Sequence, residues 1–135
     1  MESDNEFIVD AAAIITHAKY QTTVTSGNHT IIADEPVDIG GADTGMSPYN
    51  LLLASLASCT VITLRMYIDR KMWVVDEINI NLELFKNPGG VLIESKLAFK
   101  GMLTDEQLKR LITIADACPI HKILTGAIVV NNSLA

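Results

Sequence analysis

Two cysteines are the residues of this sequence with the most direct route to chemistry. Cys59 lies in the apolar stretch LASLASCTVITL, and Cys118 lies in ADACPIHKIL with His121 and Lys122 close behind it. A thiolate is the reactive form of cysteine; helix N-termini and nearby cations favour it, and apolar burial disfavours it. Residues near Cys118 in the sequence can therefore favour its thiolate, whereas Cys59 needs a cation or a proton donor from another segment.

Interpretations in which these cysteines are not nucleophiles also stay open. A free cysteine in an apolar helix is often a small buried hydrophobe, so both thiols can be inert. Cys118 and His121 share one face of a helical turn, and Cys59 could be a third metal ligand. No further ligand cluster is evident, because His17 and His29 lie in or near predicted strands, so we predict no metal site.

A pair of carboxylates, Asp34 and Glu35, precedes Pro36. Acidic residues before a proline are typical of turns, where water solvates them. We therefore expect solvated turn carboxylates here and not a general acid and base. The glycines of the following segment, VDIGGADTGMSP, lack the spacing of a nucleotide-binding fingerprint, which predicts a connecting loop.

Composition limits the class of protein. The 135 residues are 49% hydrophobic and 19% charged, which predicts one globular domain over residues 1–135 with a flexible end at residues 1–6. A net charge of -6 disfavours binding to nucleic acid. The start MESDNEF lacks the basic and apolar regions of a secretory signal, so we expect a cytoplasmic protein. The longest apolar run, residues 51–64, is shorter than the roughly 20 residues of a membrane span, which indicates a core helix.

A long helix must position Cys59. Ser47 is a suitable N-cap, Pro48 suits the first helical position, and helix-forming residues continue to about Lys71. Cys59 falls in the middle of this helix, and small residues nearby leave room for a substrate to approach its sulfur: Ala54, Ser55 and Ser58.

Two shorter helical segments must position Cys118. Thr104 and Gln107 form a capping-box signature, and the apolar stripe that follows ends at Cys118. Pro119 forbids simple continuation but suits the first position of a new helical turn. Cys118 would then be the N-cap of that turn, with backbone N–H groups directed toward its sulfur.

The remaining segments predict antiparallel strands. Residues 7–36 fit two or three strands with a turn at 26–28. Residues 76–86 alternate apolar and polar side chains, and residues 91–100 return from the turn NPGG to pair with them as a hairpin. Residues 126–135 read as a final strand. The fold class is therefore α+β.

Two motifs together resemble the OsmC/Ohr family, the osmotically inducible and organic-hydroperoxide-resistance proteins. They are HTIIADEPVDIGGADTGMSPYNLLLASLASCTVITLRMYIDRK and IADACPIHKIL, and the likeness covers roughly residues 27 to 130. The sequence is most similar to the short OsmC-like branch. The resemblance implies antiparallel sheets packed around a long central helix that carries Cys59, in an intertwined homodimer with active sites where the subunits meet.

The resemblance also implies a thiol-dependent peroxidase of the oxidative-stress response. Cys59 would attack an organic hydroperoxide and become a sulfenic acid, which Cys118 would convert to a disulfide. An external dithiol, a dihydrolipoyl group in the family, would reduce that disulfide. No metal or organic cofactor is implied.

The sequence departs from the family at two positions. Hydroperoxide-resistance enzymes hold the thiolate with an arginine from the N-terminal strands and hold that arginine with a glutamate at the start of the cysteine helix. Here the arginines are Arg65, Arg70 and Arg110, and the helix starts PYN. Lys19, or Arg65 of the partner subunit, could supply a cation. Whether the protein is an enzyme therefore stays open against two alternatives: a non-catalytic small-molecule-binding protein with an apolar pocket at the dimer interface, or a structural domain with inert thiols.

Overall fold

The computed structural model describes residues 4–135, so residues 1–3 of the predicted flexible end lie outside it, and residues 4–6 have no regular structure. The elements are β1 (Ala12–Ile15), β2 (Thr22–Ser26), β3 (His29–Ala33), a 3-10 turn (Val37–Ile39), α1 (Pro48–Lys71), β4 (Val75–Asn87), β5 (Gly90–Gly101), α2 (Asp105–Ala115) and α3 (Pro119–Thr125). The chain divides into two compact units, up to Leu51 and from Leu52 onward. The single domain expected from the sequence stays a prediction.

The first unit contains the three-stranded antiparallel sheet β1-β2-β3, as the sequence predicted. Ile14 is paired with Thr23, and Val24 is paired with Ile31. The turn between β2 and β3 contains Gly27, whose φ of 58° lies in the left-handed region that glycine adopts without steric cost.

A buried carboxylate holds together the loop after β3. Asp34 is 2% exposed, and its oxygens accept hydrogen bonds from the Thr44 hydroxyl at 2.5 Å and from the backbone N–H groups of Thr44, Glu35 and Tyr20 at 2.7–3.0 Å. The Thr44 hydroxyl, with these N–H groups, holds the pKa of Asp34 well below its usual range. The expectation of a solvated turn carboxylate was therefore wrong for Asp34, because the glycine-rich loop folds back over it. A Cβ at Gly45 would lie 1.9 Å from the Ile32 carbonyl oxygen, so only glycine fits there.

The long helix α1 begins and ends where the sequence predicted. Ser47 Oγ accepts the N–H of Asn50 at 3.3 Å, and Pro48 occupies the first helical position. With 24 residues and an apolar composition, α1 is long enough to cross a membrane by length and hydropathy alone. Core helices of soluble proteins share that property, and Leu64 and Ile68 of α1 are fully buried.

The second unit packs the C-terminal part of α1 against the hairpin β4-β5 and α2. The hairpin is antiparallel, with Ile80 opposite Leu97, which confirms the predicted pairing around the turn at residues 87–90. The core cluster consists of buried side chains from α1, β4 and α2: Leu64, Tyr67, Ile68, Val75 and Leu111. This cluster fixes α2 on α1 and so brings the chain that follows α2 back beside α1.

The capping box at Thr104 and Gln107 is present as predicted. Thr104 Oγ1 accepts the N–H of Gln107 at 3.1 Å, and Gln107 Oε1 accepts the N–H of Thr104 at 2.8 Å. The final strand predicted for residues 126–135 is wrong for the described structure: this segment forms no strand, and Val129 and Val130 are 82% and 76% exposed. A strand needs a partner edge, and the sheets described here have no further strand that pairs with this segment.

Candidate active site

The fold brings together the two thiols that the sequence singled out. Cys59 lies in the middle of α1 and Cys118 lies at the N-cap of α3, and the two side chains lie close enough for each thiol to shift the pKa of the other. Both are free thiols; Cys59 is half-buried, whereas Cys118 is fully buried. The contact is between residues far apart in the sequence, so it depends on the packing of α2 against α1.

Backbone geometry around Cys118 favours its thiolate. Helix α2 ends at Ala115, and Pro119 opens α3, as predicted. The N–H of His121 donates to Cys118 Sγ at 3.5 Å, and the N–H of Ile120 also points toward this sulfur. The predicted N-cap role of Cys118 is therefore confirmed.

Thr60 follows Cys59 in the sequence, but its hydroxyl interacts with the other thiol, Cys118. Thr60 is buried, and its hydroxyl lies within hydrogen-bonding reach of both the Leu56 carbonyl oxygen, at 2.8 Å, and Cys118 Sγ. A hydroxyl has one hydrogen, so it donates to one of these acceptors at a time. The short distance favours Leu56 while Cys118 is a neutral thiol. The sequence reasoning missed Thr60, because successive residues on a helix point in different directions.

The two thiols have opposite tendencies to lose a proton. Burial raises the pKa of Cys59, and so do its hydrogen bond to the sulfur of Cys118 and the charge of that sulfur. Burial also opposes ionisation of Cys118, but hydrogen bonds from the Cys59 thiol and from the N–H of His121 lower its pKa below the ordinary value. Of the two thiols, Cys118 therefore loses its proton more readily than Cys59.

A cavity of about 420 Å³ lies within the second unit, and two of the residues that line it, Thr60 and His121, are neighbours of the cysteines in the sequence. Its wall is mostly apolar, with side chains from α1, β5 and α3: Leu52, Leu56, Val91, Ile93 and Leu124. Thr60 and His121 belong both to the cavity wall and to the surroundings of Cys118. The cavity also contains Asp116, whose Oδ1 lies 3.9 Å from His121 Nε2. The sequence reasoning did not foresee this Asp116–His121 pair, although both residues lie within three positions of Cys118.

Within residues 4–135, no three His, Cys, Asp or Glu side chains are arranged to hold a metal ion. Cys118 and His121 are joined through the backbone N–H of His121 and not through its ring.

Comparison with known proteins identifies the family. Residues 40–133 match the model of the OsmC-like protein family. The chain belongs to this family. A search of curated proteins gave no significant match.

Solved structures of OsmC-like and related proteins share the fold. An OsmC-like protein from Mycoplasma pneumoniae is 22% identical, with a TM-score of 0.75, over 92% of this chain and 90% of that chain. An organic hydroperoxide resistance protein from Elizabethkingia anophelis, crystallised with thiocyanate bound, is 22% identical, with a TM-score of 0.66, over 92% of each chain. A protein from Legionella pneumophila described as an organic hydroperoxide resistance protein OsmC is 19% identical, with a TM-score of 0.64, over 91% and 93%. The predicted α+β OsmC-like fold is confirmed.

Two arginines of this OsmC-like protein are engaged away from the thiols. Arg65 donates to the Val75 carbonyl oxygen at 3.0 Å and lies 3.6 Å from an oxygen of Asp69. Arg110 donates to the Tyr67 hydroxyl at 3.1 Å. Among the described residues, the groups that interact with the sulfur atoms of Cys59 and Cys118 are the two thiols themselves, threonine hydroxyls and backbone N–H groups.

Proposed function

We propose that this OsmC-like protein is a cytoplasmic thiol peroxidase that reduces organic hydroperoxides through a Cys59 sulfenate and a Cys59–Cys118 disulfide. The observation that carries the proposal is the close approach of the two thiols, each of which shifts the pKa of the other. Two further observations support it: the mostly apolar cavity whose wall includes Thr60 and His121, and the fold shared with proteins described as organic hydroperoxide resistance proteins.

Cys59 is the attacking thiol in this proposal because it is the more accessible of the two. In the first step Cys59 loses its proton, either to the sulfur of Cys118 or to water. The Cys59 thiolate then attacks the terminal oxygen of the hydroperoxide, the O–O bond breaks, and the alcohol departs. Cys59 leaves this step as a sulfenic acid.

The second step takes place between the same two sulfur atoms, and Cys118 is now the attacking residue. The sulfur of Cys118 attacks the sulfur of the Cys59 sulfenic acid, which forms a disulfide and releases water. An external dithiol, such as a dihydrolipoyl group, then attacks the disulfide and restores both thiols while it is itself oxidised. Neither step requires a metal or a bound organic cofactor.

A homodimer is part of this proposal. Each unit exposes large apolar side chains on its own surface, among them Ile14 at 70% and Ile31 at 45% in the first unit and Ile62 at 52% and Met66 at 61% in the second. Exposed apolar groups of this number favour burial against a second copy. Light scattering during size-exclusion chromatography should give twice the mass of the 14.7 kDa chain. A monomer at micromolar concentration would contradict this part of the proposal.

The test of the peroxidase function is mass spectrometry after treatment of the reduced protein with less than one equivalent of tert-butyl hydroperoxide. The parent should form an intramolecular Cys59–Cys118 disulfide. The Cys118→Ser variant should accumulate a Cys59 sulfenic acid that dimedone traps, and the matched Cys59→Ser variant should leave the hydroperoxide unreduced. Parent protein whose two thiols both remain free would refute the proposal.

The observation that favours the alternative, a non-catalytic small-molecule-binding protein, is the engagement of Arg65 and Arg110 away from the thiols. A binding protein with the same cavity would retain its ligand affinity in the Cys59→Ser, Cys118→Ser double variant, and the parent would not reduce hydroperoxides. The mass spectra described above distinguish the two functions.

A further inference from the structure

We propose that the Thr60 hydroxyl changes its hydrogen-bond partner during the reaction. It donates to the Leu56 carbonyl oxygen while Cys118 is a neutral thiol, and to the Cys118 sulfur once that sulfur is a thiolate. Thr60 thereby stabilises the nucleophile that attacks the Cys59 sulfenic acid. The inference rests on the proposed function for the step that Thr60 assists, whereas the hydrogen bond itself does not depend on that function.

The position of Thr60 on α1 suits this role. Its side chain is buried, at 5% exposed, and its Oγ1 lies 2.8 Å from the Leu56 carbonyl oxygen one helical turn earlier. The same hydroxyl interacts with the sulfur of Cys118, the N-cap residue of α3. A carbonyl inside a helix also accepts a backbone N–H, so the Leu56 oxygen keeps a partner when the hydroxyl turns to the sulfur.

The thiolate of Cys118 needs donors from the protein because its side chain is fully buried. A buried charge is costly unless hydrogen bonds stabilise it. The N–H of His121 donates to this sulfur at 3.5 Å, and the N–H of Ile120 also interacts with it. Both N–H groups are held by the backbone of α3. The Thr60 hydroxyl can rotate instead, and an ionised acceptor forms a stronger hydrogen bond than a neutral carbonyl oxygen.

This donor acts in the second step of the proposed reaction, in which the thiolate of Cys118 is the nucleophile. Burial opposes the ionisation of Cys118, and in the resting pair the Cys59 thiol helps to lower its pKa. The proton of that thiol is lost in the first step, and the Thr60 hydroxyl is retained. The S–S bond forms as the S–O bond of the sulfenic acid breaks, and the departing hydroxide takes up the proton released by Cys118 and leaves as water. Thr60 keeps its own proton throughout.

Ultraviolet absorbance of the thiolate, followed during a pH titration, tests the hydrogen bond without any oxidant. In the Cys59→Ser background Cys118 is the only thiol, and the Cys59→Ser, Cys118→Ser variant supplies the baseline. Thr60→Val, which keeps the shape and removes the hydroxyl, should raise the pKa of Cys118, and the smaller Thr60→Ala should raise it too. Thr60→Ser, which keeps a hydroxyl, should restore the titration of the background. An unchanged pKa in Thr60→Val, or a Thr60→Ser titration equal to that of Thr60→Val, would overturn the proposal.

The charged and titratable groups around Cys118 are the same in all of these Thr60 variants. Cys59, which acts on Cys118 from α1, is replaced in each of them. Asp116 and His121, the titratable residues nearest to Cys118 in the chain, lie 3.9 Å apart. Two charged side chains of the adjoining helices are engaged with other groups: Arg65 on α1 and Arg110 on α2. The part of β5 that lines the cavity with Thr60 is uncharged: Val91, Ile93 and Ser95. A difference between the variants therefore reports the hydroxyl.

Rapid-quench mass spectrometry tests the step that Thr60 is proposed to assist. The reduced protein is mixed with tert-butyl hydroperoxide, and the Cys59 sulfenic acid and the Cys59–Cys118 disulfide are measured over time. Thr60→Val should slow the conversion of sulfenic acid to disulfide by at least about tenfold, so that the sulfenic acid accumulates. Thr60→Ser should convert it at the parental rate.

Thr113→Val is the matched control. The Thr113 hydroxyl donates at 3.3 Å to the carbonyl oxygen of Lys109, four residues earlier, but Thr113 is exposed on α2. This variant should form the disulfide at the parental rate. Equal slowing in Thr60→Val and Thr113→Val, or a parental rate in Thr60→Val, would overturn the role of Thr60 in the second step. A parent that forms neither species would refute the proposed peroxidase function, and the absorbance titrations would still decide whether Thr60 stabilises the thiolate.

Discussion

Oxidation should make this protein markedly more resistant to unfolding. A disulfide between Cys59 and Cys118 closes a loop of about 60 residues, and the loss of chain entropy in the unfolded state then corresponds to about 4 kcal/mol. Little rearrangement of the folded state should be needed, because the two thiols already lie close enough to shift each other's pKa. For a chain of 135 residues this free energy corresponds to a rise of roughly 10–15 °C in Tm.

Urea titrations monitored by circular dichroism would measure this effect. One sample is oxidised with one equivalent of tert-butyl hydroperoxide and the other is kept reduced, both at the same protein concentration so that any dimerisation contributes equally. The Cys59→Ser and Cys118→Ser variants receive the same treatments and should show no difference between them. If mass spectrometry confirms the disulfide and the free energy of unfolding is nevertheless unchanged or lower, the folded state must be strained by the bond. The inference that the resting contact is ready for disulfide formation would then be wrong.

Three further outcomes follow from the contacts described above. The folded-state pKa of Asp34 is depressed, so its contribution to stability is present above about pH 4 and is lost as the pH falls through the folded-state value. Asp34→Asn should therefore be less stable at neutral pH and should lack this acid-dependent loss, measured as urea midpoints across the pH range. Cys118→Ala should lower the pKa of Cys59, because the variant lacks the sulfur that favours the protonated Cys59 thiol and repels its thiolate; the pH dependence of alkylation measures this, and an unchanged profile would contradict the interaction between the two thiols. Leu111→Ala should cost about 3 kcal/mol of unfolding free energy, because Leu111 is fully buried. The control Ile112→Ala, at a side chain 54% exposed, should cost less than about 1 kcal/mol in the same denaturation experiment, and equal costs would contradict the described packing of α2.

Local signals in the sequence were sufficient to predict where the helices begin. Ser47 and Thr104 act through hydrogen bonds to N–H groups three residues away, and Pro119 acts through its own backbone, so each start depends on a few neighbouring residues. The hairpin β4-β5 is predictable for the same reason, since its strands adjoin one short turn.

Features that depend on distant contacts could not be predicted in this way. The burial of Asp34 requires its loop to fold back by ten residues to Thr44, although an acidic residue before a proline usually marks a solvated turn. The segment 126–135 has the composition of a strand, but a strand forms only where a partner edge is free. The meeting of Cys59 with Cys118 depends on the packing of α2 on α1, and their residue types alone did not determine it.

The contact between the thiols also bears on how the proposed peroxidase activates Cys59 while Arg65 and Arg110 are engaged elsewhere. The N–H of His121 lowers the pKa of Cys118, but this sulfur is buried. Burial raises the pKa of Cys59, which is the more accessible sulfur. In the proposed mechanism, a proton that passes from Cys59 to Cys118 places the negative charge on the sulfur that an oxidant can reach. The mostly apolar wall of the cavity would then favour apolar hydroperoxides over charged oxidants.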